Sequence, residues 1–103
     1  ALPVYNEVSK LLPVRRDLAV VLDENIAVAT VLTAIRKANI PLVMDVALFD
    51  LYQGKGIADK KKSLALSVLM HDTQKTLTDN DADTVIANLL QLLANDFDAA
   101  LRN

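Results

Sequence analysis

Val43-Met44-Asp45-Val46-Ala47-Leu48-Phe49-Asp50-Leu51-Tyr52, then Gln53-Gly54-Lys55-Gly56-Ile57, then Ser63-Leu64-Ala65-Leu66-Ser67-Val68-Leu69-Met70: this stretch decides the fold. The first ten residues set Met44, Val46 and Leu48 on one side and Asp45, Ala47 and Phe49 on the other, which is the period of a strand. Gln53-Gly54-Lys55-Gly56-Ile57 breaks it, with two glycines free to take positive φ. After Lys60-Lys61-Lys62 a further strand runs over residues 63–70, extending at most to His71. It alternates Leu64, Leu66, Val68 and Met70 against Ser63, Ala65, Ser67 and Leu69.

The flanks supply the other elements. Residues 27–38 carry Val28, Val31, Leu32 and Ile35 at i, i+3, i+4 and i+7, one apolar helical face with Thr30, Thr33, Arg36 and Lys37 outward. Asn39 and Pro41 end it, since proline cannot donate and the residue before it resists the helical region. Upstream, Asp17-Leu18-Ala19-Val20-Val21-Leu22 is a short β-branched strand that stops at Asp23-Glu24-Asn25. Downstream, Thr78 and Asp81 form a capping box that opens a second helix with acids at its positive end. Its apolar face is Val85, Ile86, Leu89, Leu90, Leu92 and Leu93, and residues 97–101 read as a short last strand. The order β-α-β-β-α-β predicts an α+β ferredoxin-like sandwich, a four-stranded antiparallel sheet with two helices on one face. Residues 1–13 read as a lead-in, with a short helical turn through Val8, Leu11 and Leu12, and residues 14–103 as one domain.

In this topology the first and third strands lie in the middle. With Leu18, Val20 and Leu22 turned to the helices, Asp17, Ala19, Val21 and Asp23 face away, beside Ser63, Ala65, Ser67 and Leu69 of the third strand. That outward surface is small and mildly polar, which suits both close approach of another surface and plain solvation.

At 103 residues the chain has the length of one domain with its own core. A hydrophobic share of 52% with two Gly and three Pro argues against disorder. The absence of Cys removes thiolate metal sites and Cys nucleophiles and is compatible with a cytoplasmic protein. No apolar run reaches a membrane span's length. The N-terminus lacks the charged and apolar regions of a signal peptide, and the missing initiator Met gives the expectation of a segment from a longer chain. His71, alone, makes no zinc site, and Asp79, Asp81 and Asp83 lack the glycine and closing glutamate of a calcium loop. Gln53-Gly54-Lys55-Gly56 is not a phosphate-binding Walker loop, and no serine stands in a nucleophile elbow. Catalysis and metal binding are not expected.

A net charge of −2 gives no general attraction to nucleic acid, so RNA contact requires a local basic patch. Arg15-Arg16 precede the first strand, Lys55 and Lys60-Lys61-Lys62 the third, and Lys75 follows it. Tyr52 borders the same glycine loop. An aromatic beside cations can stack on a base while the cations hold phosphates; a half-buried ring and solvated lysines are the plainer alternative.

Four blocks carry a resemblance. Pro13-Val14-Arg15-Arg16-Asp17-Leu18-Ala19, Leu48-Phe49-Asp50-Leu51-Tyr52-Gln53-Gly54-Lys55-Gly56, Lys62-Ser63-Leu64-Ala65 and Lys75-Thr76-Leu77-Thr78-Asp79 stand in the order and spacing of one family. It is the ferredoxin-fold anticodon-binding domain at the C-terminus of the bacterial phenylalanyl-tRNA synthetase β chain, which the sequence resembles from about residue 8 onward. The resemblance implies a module that docks on the anticodon stem-loop of phenylalanine tRNA, with no cofactor of its own. Its partners would be the tRNA, the remainder of the β chain and the α chain of an α2β2 ligase, with neither membrane nor DNA. That ligase would use ATP and Mg²⁺ elsewhere. Tyr52 would stack on an anticodon base, Pro13, Arg15 and Arg16 would lie beside the RNA, and Lys55, Lys60, Lys61 and Lys62 nearer phosphates. Arg16-Asp17 would otherwise be a local ion pair and Phe49 a core ring. Lys60-Lys61 departs from the family's usual residues before Lys-Ser-Leu-Ala.

Two other readings share the topology. A small-molecule regulatory domain places glycine after the first strand, where this chain has Asp23-Glu24-Asn25-Ile26. An acylphosphatase-like enzyme needs an arginine and a glycine loop at that same place, whereas Arg15 and Arg16 come earlier. Fold alone does not separate these readings.

Overall fold

A computed structural model of the chain describes residues 12–102. Among them, six elements follow in the expected order: β1 Val14–Asp23, α1 Val28–Ala38, β2 Val43–Tyr52, β3 Lys61–Met70, α2 Asp79–Phe97 and β4 Ala100–Leu101. The sheet order is β2-β3-β1-β4, antiparallel throughout, so β1 and β3 are central. Alternation explains the layering. Leu18, Val20 and Leu22 of β1 and Leu64, Leu66, Val68 and Met70 of β3 are buried beneath Val31 and Ile35 of α1 and Val85, Leu89 and Leu93 of α2. Each such side chain, fully buried, contributes about 1.5–3 kcal/mol.

The helix ends are as local chemistry dictates. α1 stops at Asn39, whose φ of 50° is one that asparagine tolerates well. α2 opens with the complete capping box: the Asp81 amide donates to Thr78 Oγ1 at 3.1 Å and the Thr78 amide to Asp81 Oδ2 at 3.0 Å. The Thr78 amide first, and then the Thr78 side chain, hold the Asp81 carboxyl below its ordinary pKa, and Lys75 at 3.4 Å adds to the effect.

Four boundaries differ from expectation. β1 begins at Val14 and β3 at Lys61, because antiparallel pairing runs unbroken from Val14↔Met70 to Asp23↔Lys61. Arg15, Arg16, Lys61 and Lys62 are therefore strand residues, not loop residues. α2 continues to Phe97, which packs against the core, and β4 is only Ala100 and Leu101. The even alternation of β2 is interrupted by register shifts between Val43 and Asp45 and between Leu48 and Asp50. Met44 and Phe49 are the extra residues, 60% and 55% exposed, so Phe49 is not a core ring. Of the turn expected through Val8, Leu11 and Leu12, the first two lie outside the described residues and Leu12 belongs to no regular element. No helix among the described residues is long and apolar enough to cross a membrane.

Candidate nucleic-acid interface

Pairing register fixes what the face away from the helices presents. Successive rows across the sheet read Asp45, Leu69 and Arg15; Ala47, Ser67 and Asp17; Asp50, Ala65 and Ala19; then Tyr52, Ser63 and Val21. Ala47, Ser67, Ala65 and Ala19 make a low floor in the middle. Tyr52 rises at the end where β2 stops and β3 starts.

Tyr52 is held on two sides. Its hydroxyl donates to the Lys55 carbonyl at 2.7 Å, closing the loop over residues 53–55. The Arg102 guanidinium lies 5.4 Å from its ring centroid, within cation–π range. The Arg102 amide donates to the Ala19 carbonyl at 2.8 Å, extending the β4 pairing. From there its side chain reaches over the face to Ser63 Oγ at 3.4 Å, and Ser63 is only 3% exposed. Gly54 and Gly56, at φ 126° and 91°, let the loop turn tightly beside the ring; a Cβ on Gly54 would sit 3.7 Å from the Tyr52 hydroxyl oxygen. Lys60 has φ 64°, a left-handed conformation that glycine would adopt without strain.

The residues singled out from sequence separate into three groups. Tyr52, Lys55, Lys60 and Lys61 come together at one end of the open face, with Lys55 and Lys60 exposed. Arg15 is on the same face but six strand residues from the Tyr52 row, roughly 20 Å. It is bonded to Asp17 at 3.1 Å, and exposed Pro13 lies just before β1 at that far end. Arg16 and Lys62 are on the opposite, helix side. Arg16 bridges Asp79 and Asp83 of α2, each at 3.1 Å. Lys62 is 7% exposed and donates its ammonium to the Ile26 carbonyl. Arg102 was not anticipated, since its only signal was the pairing of a two-residue strand.

Carboxylates Asp17, Asp23, Asp45 and Asp50 share the face with Arg15, Lys61 and Arg102. The floor therefore does not attract phosphate by net charge. Cations are concentrated instead on the loop beside Tyr52. Asp79 and Asp83 are engaged by Arg16, and among the described residues no group of three His, Cys, Asp or Glu is placed to hold a metal. A cavity of about 220 Å³ lies between the end of α1 and the start of β2, lined by Ile35, Ile40, Met44 and Val46 among others, away from both Tyr52 and the β1–α1 connection. It is below the size usual for a small-molecule pocket.

A family model for the ferredoxin-fold anticodon binding domain matches residues 9–102. The phenylalanine–tRNA ligase beta subunit of Nitrosospira multiformis is 46% identical over 102 residues, covering 99% of this chain and 13% of that protein. The subunits from Dechloromonas aromatica and Chromobacterium violaceum are 44% and 50% identical, over 97% and 92% of this chain and 13% and 12% of their own lengths. The chain thus spans about an eighth of the relatives it matches. With four strands in the order 2-3-1-4, two helices on one face and a family match over nearly its whole length, the chain belongs to the ferredoxin-fold anticodon-binding domain family.

Proposed function

We propose that this chain is the part of a phenylalanine–tRNA ligase β subunit that recognises the anticodon stem-loop of phenylalanine tRNA. The observation that carries the reading is the placement of Tyr52: an aromatic ring at the edge of an open sheet face, braced by its own loop and by Arg102. Single-stranded RNA loops are read by stacking splayed bases on such rings and by hydrogen bonds to their edges. The low floor of Ala19, Ala47, Ala65 and Ser67 leaves room for a base beside Tyr52, and the Asp50 carboxylate on the same face is an acceptor for base amino groups. Lys55, Lys60 and Lys61 are available to phosphates, Arg15 and Pro13 to RNA crossing the far end of the sheet. Arg16 and Lys62 support the fold from the helix side. Amino-acid activation with ATP and Mg²⁺, and the contacts with the α chain and the remainder of the β chain, belong to the rest of an α2β2 enzyme.

The test is aminoacylation by the complete α2β2 enzyme carrying Tyr52→Ala in an otherwise intact β chain. Slower charging of phenylalanine tRNA, with ATP-dependent activation of phenylalanine unchanged, is expected. Unaltered charging by a folded variant sinks the reading.

A further inference from the structure

Lys62, which the resemblance places with Lys60 and Lys61 nearer phosphates, is 7% exposed, and its ammonium is bonded to the carbonyl of Ile26. Ile26 lies in the connection between β1 and α1. That connection is bonded in turn to the loop between β2 and β3. The Glu24 amide donates to the Lys60 carbonyl at 2.9 Å, and Gln53 Nε2 donates to Glu24 Oε2 at 2.9 Å. Gln53 is the neighbour of Tyr52, whose hydroxyl closes on Lys55 inside the same loop. A continuous path therefore runs from a buried ammonium on one side of the sheet to the aromatic ring on the other.

We propose that Lys62 is a positioning residue for RNA recognition: it pins the β1–α1 connection, which holds the β2–β3 loop and with it the presentation of Tyr52. The role rests on the RNA reading above. Its physical basis is that a buried ammonium has strong reason to keep its acceptor, since leaving it without one is costly. The Ile26 carbonyl is thus a fixed point against which a loop with two glycines can be set. Lysine suits the task because its long apolar stem crosses the helix-side layer before the charge is met.

A positioning lysine and a phosphate-binding lysine differ in salt dependence. Removing a phosphate contact to single-stranded RNA lowers the slope of log affinity against log salt by about 0.7, whereas disturbing a support weakens binding at constant slope. The experiment compares the 103-residue chain with Lys62→Met, Lys62→Arg and Glu24→Ala. Each is titrated with a phenylalanine-tRNA anticodon stem-loop across a salt series, alongside amide exchange at Glu24. For Lys62→Met the expected result is faster exchange at Glu24 and about three- to tenfold weaker binding, the effect of roughly one hydrogen bond, at unchanged slope. Lys62→Arg restores both. Glu24→Ala, a surface change that breaks the other end of the brace, weakens binding likewise and decides the matter should Lys62→Met fail to fold. A fall in slope of about 0.7 with the Glu24 amide unmoved overturns the proposal, as does unchanged affinity in both Lys62→Met and Glu24→Ala. Should the unaltered chain alone not bind the stem-loop, the same variants are compared by the KM for tRNA in charging by the complete α2β2 enzyme. No effect of Tyr52→Ala there overturns the RNA reading, whereas no effect of both Lys62→Met and Glu24→Ala overturns the positioning role alone.

Discussion

Tyr52 makes its contacts with separable parts of the side chain, so substitutions can dissect them. Tyr52→Ala removes the stacking surface, worth about 1–3 kcal/mol per base. Stem-loop affinity should fall roughly five- to 150-fold in a fluorescence-anisotropy titration. Tyr52→Phe keeps the ring and removes only the bond to the Lys55 carbonyl, so its loss should stay below tenfold. Equal losses would mean that the hydroxyl, not the ring, is what matters. Arg16 gives the opposite signature. Arg16→Gln breaks two bridges to α2 at a partly exposed site, costing about 0.5–1 kcal/mol, which should lower the thermal midpoint by a few degrees while stem-loop affinity is unchanged. Much of this division was legible in the sequence. Arg16 has the parity of Leu18 and Val20, and Lys62 that of Leu64 and Leu66. Extending the two strands by a few residues would have sent both side chains to the helix side. Arg102 was not legible, because no local pattern tells how far a side chain fifty residues downstream reaches across a sheet.

The helices and β2 show what elements add beyond residues. The α2 capping box was readable because its two partners are three residues apart and depend on nothing distant. Thr78→Ala should cost about 1 kcal/mol, seen as a lower midpoint in chemical denaturation. Asp81 makes the same cap sensitive to acid. Its carboxyl titrates below its ordinary value in the folded chain, so its stabilising contribution is complete above the unfolded pKa of about 4 and is lost as pH falls through the folded one. Asp81→Asn should flatten that part of the acid limb; an unchanged pH profile would show that the cap does not contribute. The bulges at Met44 and Phe49 were hidden for the complementary reason. A bulge is a mismatch between two strands, and β2 alone still looks like a regular alternation except where Phe49 and Asp50 shift phase. The end of α2 was missed because Phe97 and the residues after it suit either a helix or a strand, and packing against the core decided for the helix.

For the whole molecule, net acidity and a face rich in carboxylates limit how much of any RNA affinity is electrostatic. The cations left on the open side and its loop are Arg15, Lys55, Lys60, Lys61 and Arg102. Even if all five met phosphates, the salt slope on a single-stranded loop should be no steeper than about −3.5. A steeper slope for the isolated chain would point to a second basic surface. The topology itself was readable because hydrophobic period and turn residues agree along the chain, whereas the site depends on register between strands far apart in sequence. Lys60 carries a consequence of its own. Its left-handed backbone favours glycine, which would relax the turn, so selection for thermal robustness alone would tend to replace it. A library of variants divided between a screen for heat resistance and a screen for RNA capture should therefore lose this lysine in the first and keep it in the second.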